Sequence, residues 1–444
     1  MGHVRAGRSA PRAASVRRAW LGATVRQPGG PGAGDRAARE ATGRYRARVP
    51  HRFRVPLACA LLAAVASLVV IAGTLQPVGG RPSFLVRMAW SEPMARFARQ
   101  ADSRFAFVPP DGHYDGVYFY AIALDPIALG DQSAVLTQPA YRYRSPLYGW
   151  LAGVASLGQA TLLPWALPAV NVVMLALAAA LVALLGAALG TSPWLGLLVA
   201  LNPGLLVAVT VDTAEPTAMA FIAAGMLAWL GDRRLLAGLL LVGAAFAREI
   251  GVVVAAGIAL VELAAWWRLR PERPPLRRWL RRLAPLALGP ALYLAWWGWL
   301  RLRVGAWPTF EPSNLDWPVL ATWDTLLEAA RMGTRWAIDD IQLGVGMVAL
   351  LGAALVGVLF GALRALRLRT IADGPVVLAA VLVLSLNWLP MLYPKEMLRN
   401  SAILVVLLAL SFAAGTVVRR GTASGTKGPG SHCEADAPVG TMGP

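Results

Sequence analysis

The stretch 55-VPLACALLAAVASLVVIAGTL-75 decides the class of fold, because its 21 residues contain no charged side chain. About 20 apolar residues in an α-helix are enough to cross the hydrocarbon core of a bilayer. The whole chain has the same bias, with 444 residues of which 57% are hydrophobic and 15% charged. This composition is typical of a polytopic membrane protein, so we predict that residues 55–75 form a first membrane span.

Further apolar runs follow and predict an all-α fold, a polytopic bundle of about ten or eleven transmembrane helices. Several runs are shorter than a comfortable span, so their ends are approximate. Counting the first, the runs lie near residues 55–75, 165–189, 194–209, 216–230, 235–248, 250–267, 283–304, 341–363, 374–393 and 401–418.

The formal charge of +18 is concentrated in one tail and beside apolar runs. Residues 1–54 contain thirteen arginines against Asp35 and Glu40, a net charge of +11. This distribution indicates membrane anchoring, and we predict no nucleic-acid partner. The positive-inside rule assigns the remaining clusters to the cytoplasm. They lie at residues 233–234, 268–282, 364–369 and 419–420.

With those clusters inside, the chain divides into three regions. Residues 1–54 are predicted to be a disordered, arginine-rich cytoplasmic tail, residues 55–418 the transmembrane domain, and residues 419–444 a second disordered cytoplasmic tail. Within the transmembrane domain, residues 76–145 form a large first extracytoplasmic loop and residues 305–340 a second outer loop.

One apolar run, residues 146–158, is too short for a comfortable crossing. We interpret it as a re-entrant or interfacial helix. The alternative is a short, tilted span paired with a split of the 165–189 run. Both interpretations keep residues 76–145 outside.

The first loop carries carboxylates, aromatic rings and arginines close to a membrane boundary. A carboxylate can take a proton from a hydroxyl group or hold a divalent cation, arginines can neutralise a phosphate, and aromatic rings can stack on sugars. Asp115 also fits a turn residue before Gly116, and Asp125 fits a helix-terminating Asp-Pro. The candidates are Asp115 and Asp125 for catalysis, and Tyr114, Tyr118, Tyr120, Arg142 and Arg144 for substrate binding.

Two further groups of candidates border later helices on the same predicted face. Asp212 and Glu215 open the run at 216–230, where an acidic helix start is also ordinary. Arg248 and Glu249 interrupt an apolar stretch, and charges there are expensive unless they are paired or functional. Arg248 is a candidate for binding a donor phosphate, and a purely structural ion pair is the alternative.

The segment before the last apolar run contains Lys395, one of only two lysines in the chain, and Arg399. Both would lie where a lipid-linked phosphate meets the outer face of the membrane. An alternative for Lys395 is an anchor whose ammonium group snorkels to the interface.

Other chemistries have no support in the sequence. Cys59 falls in the first apolar run and Cys433 in the C-terminal tail, so a disulfide framework is not predicted. His113 and His432 belong to no metal-ligand cluster, and a phosphate-binding GxxxxGK[ST] loop is absent.

Two local patterns resemble those of the glycosyltransferase C (GT-C) superfamily of bacterial integral-membrane enzymes. Residues 114–126 read Tyr-Asp-Gly-x-x-Phe-Tyr-x-x-Ala-x-Asp-Pro, and residues 141–148 read Tyr-Arg-x-Arg-x-x-Leu-Tyr. The resemblance extends in layout over about residues 55–418, with a first span, an outer loop and many helices.

The resemblance implies a GT-C-like helical bundle in the bacterial plasma membrane, with an extracytoplasmic active site. Such enzymes move a sugar from a polyprenyl-phosphate donor to a hydroxyl acceptor on a glycan, lipid or protein. Their essential acidic residue lies in the first outer loop, which implies Asp115, and more weakly Asp125, as the catalytic residue. The chain has no Asp-x-Asp or Asp-Asp pair there, which leaves a requirement for Mg²⁺ or Mn²⁺ open.

Two other classes of protein fit the same spans. A secondary transporter would also have many helices with scattered polar residues, although transporters concentrate charges near the bilayer midplane, often in repeated halves. A non-catalytic scaffold for envelope assembly is the other alternative. A substitution of Asp115 would be silent in a scaffold.

Overall fold

A computed structural model describes residues 53–269, 274–309, 315–335, 341–391 and 394–424. These residues confirm the predicted all-α class, since they contain helices and two isolated backbone bridges but no strand. The longer helices are Arg54–Leu75, Leu163–Ala188, Pro203–Thr210, Glu215–Leu230, Arg234–Ala247, Ile250–Arg268, Leu276–Leu283, Leu288–Val304, Pro318–Arg335, Ile341–Ala365, Asp373–Leu384 and Pro394–Ser424.

The described helices support fewer membrane spans than the ten or eleven that the sequence predicted, because several of them are too short. Five helical stretches in the described residues are long and apolar enough to cross a bilayer, and a pair bent by 45°, Pro193–Ala200 and Pro203–Thr210, would make a sixth. Four further apolar helices have 10–17 residues. The chain therefore has helices suited to a lipid bilayer, and several predicted spans are shorter than a full crossing.

Both predicted tails lie largely outside the described residues. Residues 1–52 of the N-terminal tail and residues 425–444 of the C-terminal tail are among those not described. The boundary at residue 418 is corrected, because the last helix, Pro394–Ser424, continues six residues beyond it.

The bundle packs helices closely through small residues. Leu163–Ala188 lies against Arg54–Leu75 and Glu215–Leu230, and Ile250–Arg268 lies against Asp373–Leu384. At this last contact a Cβ atom on Gly257 or on Gly374 would collide with the backbone of the facing helix. Small residues are the usual means of close helix approach in membranes, where the hydrophobic effect does not drive association between helices.

The 76–145 segment has its own aromatic core beside the bundle. Its short helices are Ala95–Ala101, Gly116–Leu124, Asp131–Ala134 and Pro139–Arg142. Tyr120, Ile122 and Tyr143 are fully buried there and pack with Leu167 and Leu300 of the bundle. This core holds the helix Gly116–Leu124 in a fixed place against the bundle.

Two other regions can be compared with the sequence prediction. Residues 146–158 contain the nine-residue helix Leu147–Ala155, which is too short to cross a bilayer and fits the re-entrant or interfacial interpretation. The predicted second outer loop, 305–340, contains the helix Pro318–Arg335 of 18 residues. Its mixed sequence gives no apolar run, so hydropathy did not indicate it.

Candidate functional site

A cavity of about 390 Å³, here called the main cavity, brings together segments that are far apart in the sequence. It is lined by four arginines, three carboxylates and several aromatic rings. Eight of the predicted site residues line it: Tyr114, Asp115, Tyr118, Arg142, Arg144, Arg248, Glu249 and Arg399.

Asp115 is placed in this cavity by the start of the helix Gly116–Leu124. A Cβ atom at position 116 would lie 2.7 Å from the carbonyl oxygen of Val86 and 2.9 Å from that of Val211, so only glycine permits this close packing. Asp115 occupies the N-cap position, yet its side chain makes no capping hydrogen bond. The carboxylate therefore does not stabilise the start of its own helix and instead contacts residues from other segments.

Arg399 is the centre of the charge network. Its Nη1 donates a hydrogen bond of 2.9 Å to Asp115 Oδ2, and its Nη2 lies 3.1 Å from Glu396 Oε2. Its Nε lies 3.6 Å from Oε1 of Glu215, whose side chain is only 3% exposed. Arg142 is a second cation beside Asp115, with Nη1 3.5 Å from Oδ1. A single carboxylate thus lies between two guanidinium groups.

The predicted pair at 248–249 forms the turn between two antiparallel helices. Arg248 follows Arg234–Ala247 with an extended backbone, and Glu249 precedes Ile250–Arg268. The two side chains contact different partners, because Arg248 Nη2 lies 3.1 Å from Glu215 Oε1 and Arg144 Nη2 lies 3.5 Å from Glu249 Oε1. Every one of these charges is paired, which offsets the cost of removing it from water.

The arginines keep the carboxylates ionised. Burial alone would raise the pKa of Asp115, but the positive charges of Arg399 and Arg142 outweigh it and hold that pKa well below its usual range. Glu249 behaves in the same way, since Arg144 and Arg248 lower its pKa against the effect of burial. The pKa of Tyr114 is raised, chiefly by burial, so this phenol stays neutral. At neutral pH the main cavity therefore contains paired full charges.

Two of the cations lie over aromatic rings in cation–π contacts. The Arg142 guanidinium lies 3.9 Å from the centroid of the Tyr118 ring, and the Lys395 ammonium lies 3.7 Å from that of Tyr114. Such contacts stabilise a cation by about 0.5–1 kcal/mol at exposed sites. Lys395 is exposed and lies outside the lining of the main cavity, at its edge.

Five predicted residues do not line the main cavity, and Lys395 at its edge is one of them. Asp125 is buried and accepts hydrogen bonds from the backbone N–H groups of Leu129 and Gly130, at 2.8 and 2.9 Å. Tyr120 is buried against Phe105. The other two residues are Asp212 and Glu215.

Asp212 and Glu215 are buried residues outside this lining. Asp212 is fully buried, adopts a positive φ of 49° and accepts a hydrogen bond of 3.4 Å from the Tyr148 hydroxyl. Burial raises the pKa of Asp212 well above its usual range, despite opposing effects from Tyr148 and Arg87. Glu215 instead forms ion pairs with two arginines of the lining, Arg248 and Arg399.

Sequence reasoning missed several lining residues. Glu396 lies about one helical turn before Arg399, and Asn400 directly follows it. Asn400 Oδ1 accepts a hydrogen bond of 3.4 Å from Arg248. The i,i+3 spacing of Glu396 and Arg399 was a usable signal. Leu315 and Leu386 also line the cavity and form an isolated backbone bridge, a pairing with no sequence signal.

The carboxylates do not form a metal site among the residues that the structure describes. No group of three or more His, Cys, Asp or Glu side chains could hold a metal ion there. Asp115, Glu215, Glu249 and Glu396 are each committed to an arginine. Mg²⁺ or Mn²⁺ would have to displace guanidinium groups, so the residues present do not fit a resident divalent cation.

No known protein family, curated protein or solved structure matches this chain.

Proposed function

We propose that this protein is a membrane glycosyltransferase that moves a sugar from a polyprenyl-phosphate donor to a hydroxyl acceptor. One observation carries the proposal: Asp115 lies in a cavity between Arg399 and Arg142, with Arg144 and Arg248 on the same lining. A base and several phosphate-binding cations within one cavity suit transfer of a group from a phosphate to a hydroxyl.

The arginines would bind the donor phosphate. Guanidinium groups match phosphate oxygens with paired hydrogen bonds and remain charged at all physiological pH values. Without a phosphate their charge is balanced by Asp115, Glu215, Glu249 and Glu396. An arriving phosphate would compete with Asp115 for Arg399, because both are anions that use the same donor group.

This competition would make Asp115 a stronger base. When the phosphate takes over the contacts of Arg399, Asp115 loses its strongest stabilising cation and gains a neighbouring negative charge, and both effects raise its pKa. The acceptor oxygen then attacks the anomeric carbon of the sugar, and its proton passes to Asp115. The bond between that carbon and the phosphate oxygen breaks, and the phosphate leaves with the electron pair, stabilised by the arginines.

We place the site on the extracytoplasmic face. The helix Arg234–Ala247 begins at an arginine pair and ends at Arg248, and the helix Ile250–Arg268 returns from Glu249 to another arginine. The charge cluster of the cavity thus lies at the opposite helix ends from these basic groups, which the positive-inside rule assigns to the cytoplasm. A polyprenyl tail would lie in the surrounding bilayer.

The direct test uses purified protein reconstituted in liposomes with a panel of radiolabelled polyprenyl-phosphate sugars and a panel of octyl glycosides as acceptors. We expect one donor to yield a labelled glycoside with the wild type and none with Asp115→Asn. Failure of the wild type with every donor, or equal product from the variant, would refute the proposal.

A secondary transporter is the rival explanation, and the bent pair between residues 193 and 210 is the observation that favours it, because broken helices build transporter sites. The same liposomes measure this directly. Accumulation of a labelled sugar or sugar phosphate inside sealed vesicles, without formation of a new glycosidic bond, would replace the transferase proposal with the transporter.

A further inference from the structure

A second cavity, of about 240 Å³, adjoins the main cavity. Two side chains, His113 and Tyr118, line both cavities and form the wall between them. Asp115 lies between these two residues in the sequence and lines the main cavity. A ligand in the second cavity would thus contact two residues that lie close to the proposed base in the sequence.

The shared wall is held by a chain of polar contacts. Oε1 of Glu92 lies 2.6 Å from Nδ1 of His113 and accepts a hydrogen bond of 2.8 Å from the backbone N–H of Ala89. Nε2 of His113 lies 3.1 Å from the Tyr118 hydroxyl. A proton on Nδ1 would bind the carboxylate and leave Nε2 to accept from the phenol. The carboxylate thereby orients the imidazole, and the imidazole orients the phenol.

The wall is accessible to a ligand. The side chains of Glu92 and His113 are 20% and 33% exposed. Thr137, at the mouth of the second cavity, is exposed and hydrogen-bonds Tyr118. These groups offer donors and acceptors on one side, while Met94 and Leu136 offer apolar contacts on another.

The two cavities differ sharply in charge. The main cavity has four arginines in its lining, whereas the described residues that line the second cavity include neither Lys nor Arg. A phosphate therefore suits the main cavity. The second cavity suits a neutral molecule with several hydroxyl groups and an apolar face, which is the chemistry of a sugar ring.

We propose that the second cavity binds the acceptor, as one neutral sugar unit, with Glu92, His113 and Thr137 as its hydrogen-bonding partners. This inference rests on the proposed function and adds the acceptor class and its position. The volume is below the range of about 300–1,000 Å³ that is usual for drug-sized ligands, so it has room for a single ring. The Arg142 guanidinium contacts both the Tyr118 ring and Asp115, so a ring that lines the second cavity and the proposed base share one neighbouring side chain.

The test separates acceptor binding from donor binding. Thr137→Trp fills the mouth of the second cavity from an exposed position, and Ala134→Trp places the same side chain at an exposed position outside its lining. Glu92→Gln removes the charge that orients His113, and Asp102→Asn is its control within the same segment. For each protein we would measure the KM of the octyl glycoside, retention of radiolabelled polyprenyl-phosphate sugar, and retention of radiolabelled octyl glycoside.

We expect Thr137→Trp to raise the acceptor KM by about tenfold or more, because a blocked subsite removes most of its contacts. Glu92→Gln should raise it less, and both variants should retain donor as the wild type does. The two controls should match the wild type.

An unchanged acceptor KM in Thr137→Trp and Glu92→Gln would overturn the inference and leave the transferase proposal standing. If the wild type transfers no sugar, glycoside retention decides instead. Retention that Thr137→Trp abolishes and Ala134→Trp preserves would support a sugar site, and equal retention in all proteins would exclude it.

Discussion

The two ends of the helix Gly116–Leu124 carry one aspartate each, and the two carboxylates serve different structures. Asp115, at the N-terminal end, makes no capping hydrogen bond and contacts Arg399 and Arg142, with 32% of its side chain exposed to the cavity. Asp125, at the C-terminal end, is 5% exposed and accepts two backbone hydrogen bonds from the turn that follows. Asp115 is hydrogen-bonded to a residue 284 positions away in the sequence, whereas Asp125 is hydrogen-bonded to residues no more than five positions away.

This difference shows what separates a candidate catalytic group from a structural one. A structural carboxylate satisfies its own chain locally, and its removal leaves backbone donors unpaired. A catalytic carboxylate must be accessible and be held by groups from other segments. On these criteria Asp115 is the stronger candidate base, and Asp125 fits the helix-terminating role that the Asp-Pro dipeptide also predicted.

Asp115→Asn should give the largest effect on transfer. The amide cannot accept a proton, and loss of a general base typically costs a factor of about 10²–10⁴ in rate. Folding should persist, because Arg399 keeps Glu215 and Glu396 as partners. The rate is measured with saturating donor, and Asp111→Asn, an exposed neighbour, is the matched control. Wild-type rates in Asp115→Asn would place the base elsewhere.

Arg399→Lys should have the next largest effect. Lysine keeps the positive charge but replaces a planar group that contacts Asp115, Glu215 and Glu396 at once. We expect the donor kcat/KM to fall by about 10–100-fold, since a lost contact to developing charge costs up to about 10³. Arg104→Lys, at an exposed position of the same predicted face, serves as control. A loss confined to the acceptor KM would contradict the assignment of Arg399 to the phosphate.

Asp125→Asn should lower stability and leave transfer per folded molecule unchanged. The amide can accept through one oxygen only, so one of the two backbone donors at Leu129 and Gly130 loses its partner, at a cost of about 1–3 kcal/mol. The apparent melting temperature in detergent reports this loss, and Asp131→Asn, which is exposed, gives the reference. A catalytic defect without a change in melting temperature would reverse the comparison between the two aspartates.

Hydropathy was sufficient for most of the helices. The run predicted at 250–267 forms Ile250–Arg268, and that predicted at 165–189 forms Leu163–Ala188. Each such run is a continuous apolar stretch, so the length of the run nearly equals the length of the helix. The helix Pro318–Arg335 was not predicted because charged residues recur every three or four positions in its second half and leave no long apolar run.

The site was harder to predict because it depends on contacts between distant segments. Charges at helix ends indicated Arg248 and Arg399, since unpaired charges there are costly. The same reasoning could not tell that Glu215 lies outside the lining of the cavity whereas Asp115 belongs to it, which depends on packing at Gly116. The Glu92–His113 contact spans 21 residues of irregular chain, and such a contact has no periodic signal.

Arg142→Gln should give the smallest effect, a shift in pH dependence. Asp115 acts as a base only when ionised, and Arg142, 3.5 Å away, lowers its pKa together with Arg399. Removal of this cation raises the pKa of Asp115, so the acid limb of kcat/KM, which reports the free enzyme, moves to higher pH.

Both side chains are partly exposed, at 25% for Arg142 and 32% for Asp115, so the shift should stay below about one pH unit. The pKa of Asp115 in the wild type lies well below its usual range, so the variant should lose more activity than the wild type only below about pH 4. Added salt should weaken the difference because it screens the lost interaction. An acid limb that moves to lower pH or stays fixed in Arg142→Gln, or that Arg104→Gln shifts as far, would show that Asp115 does not set the acid limb.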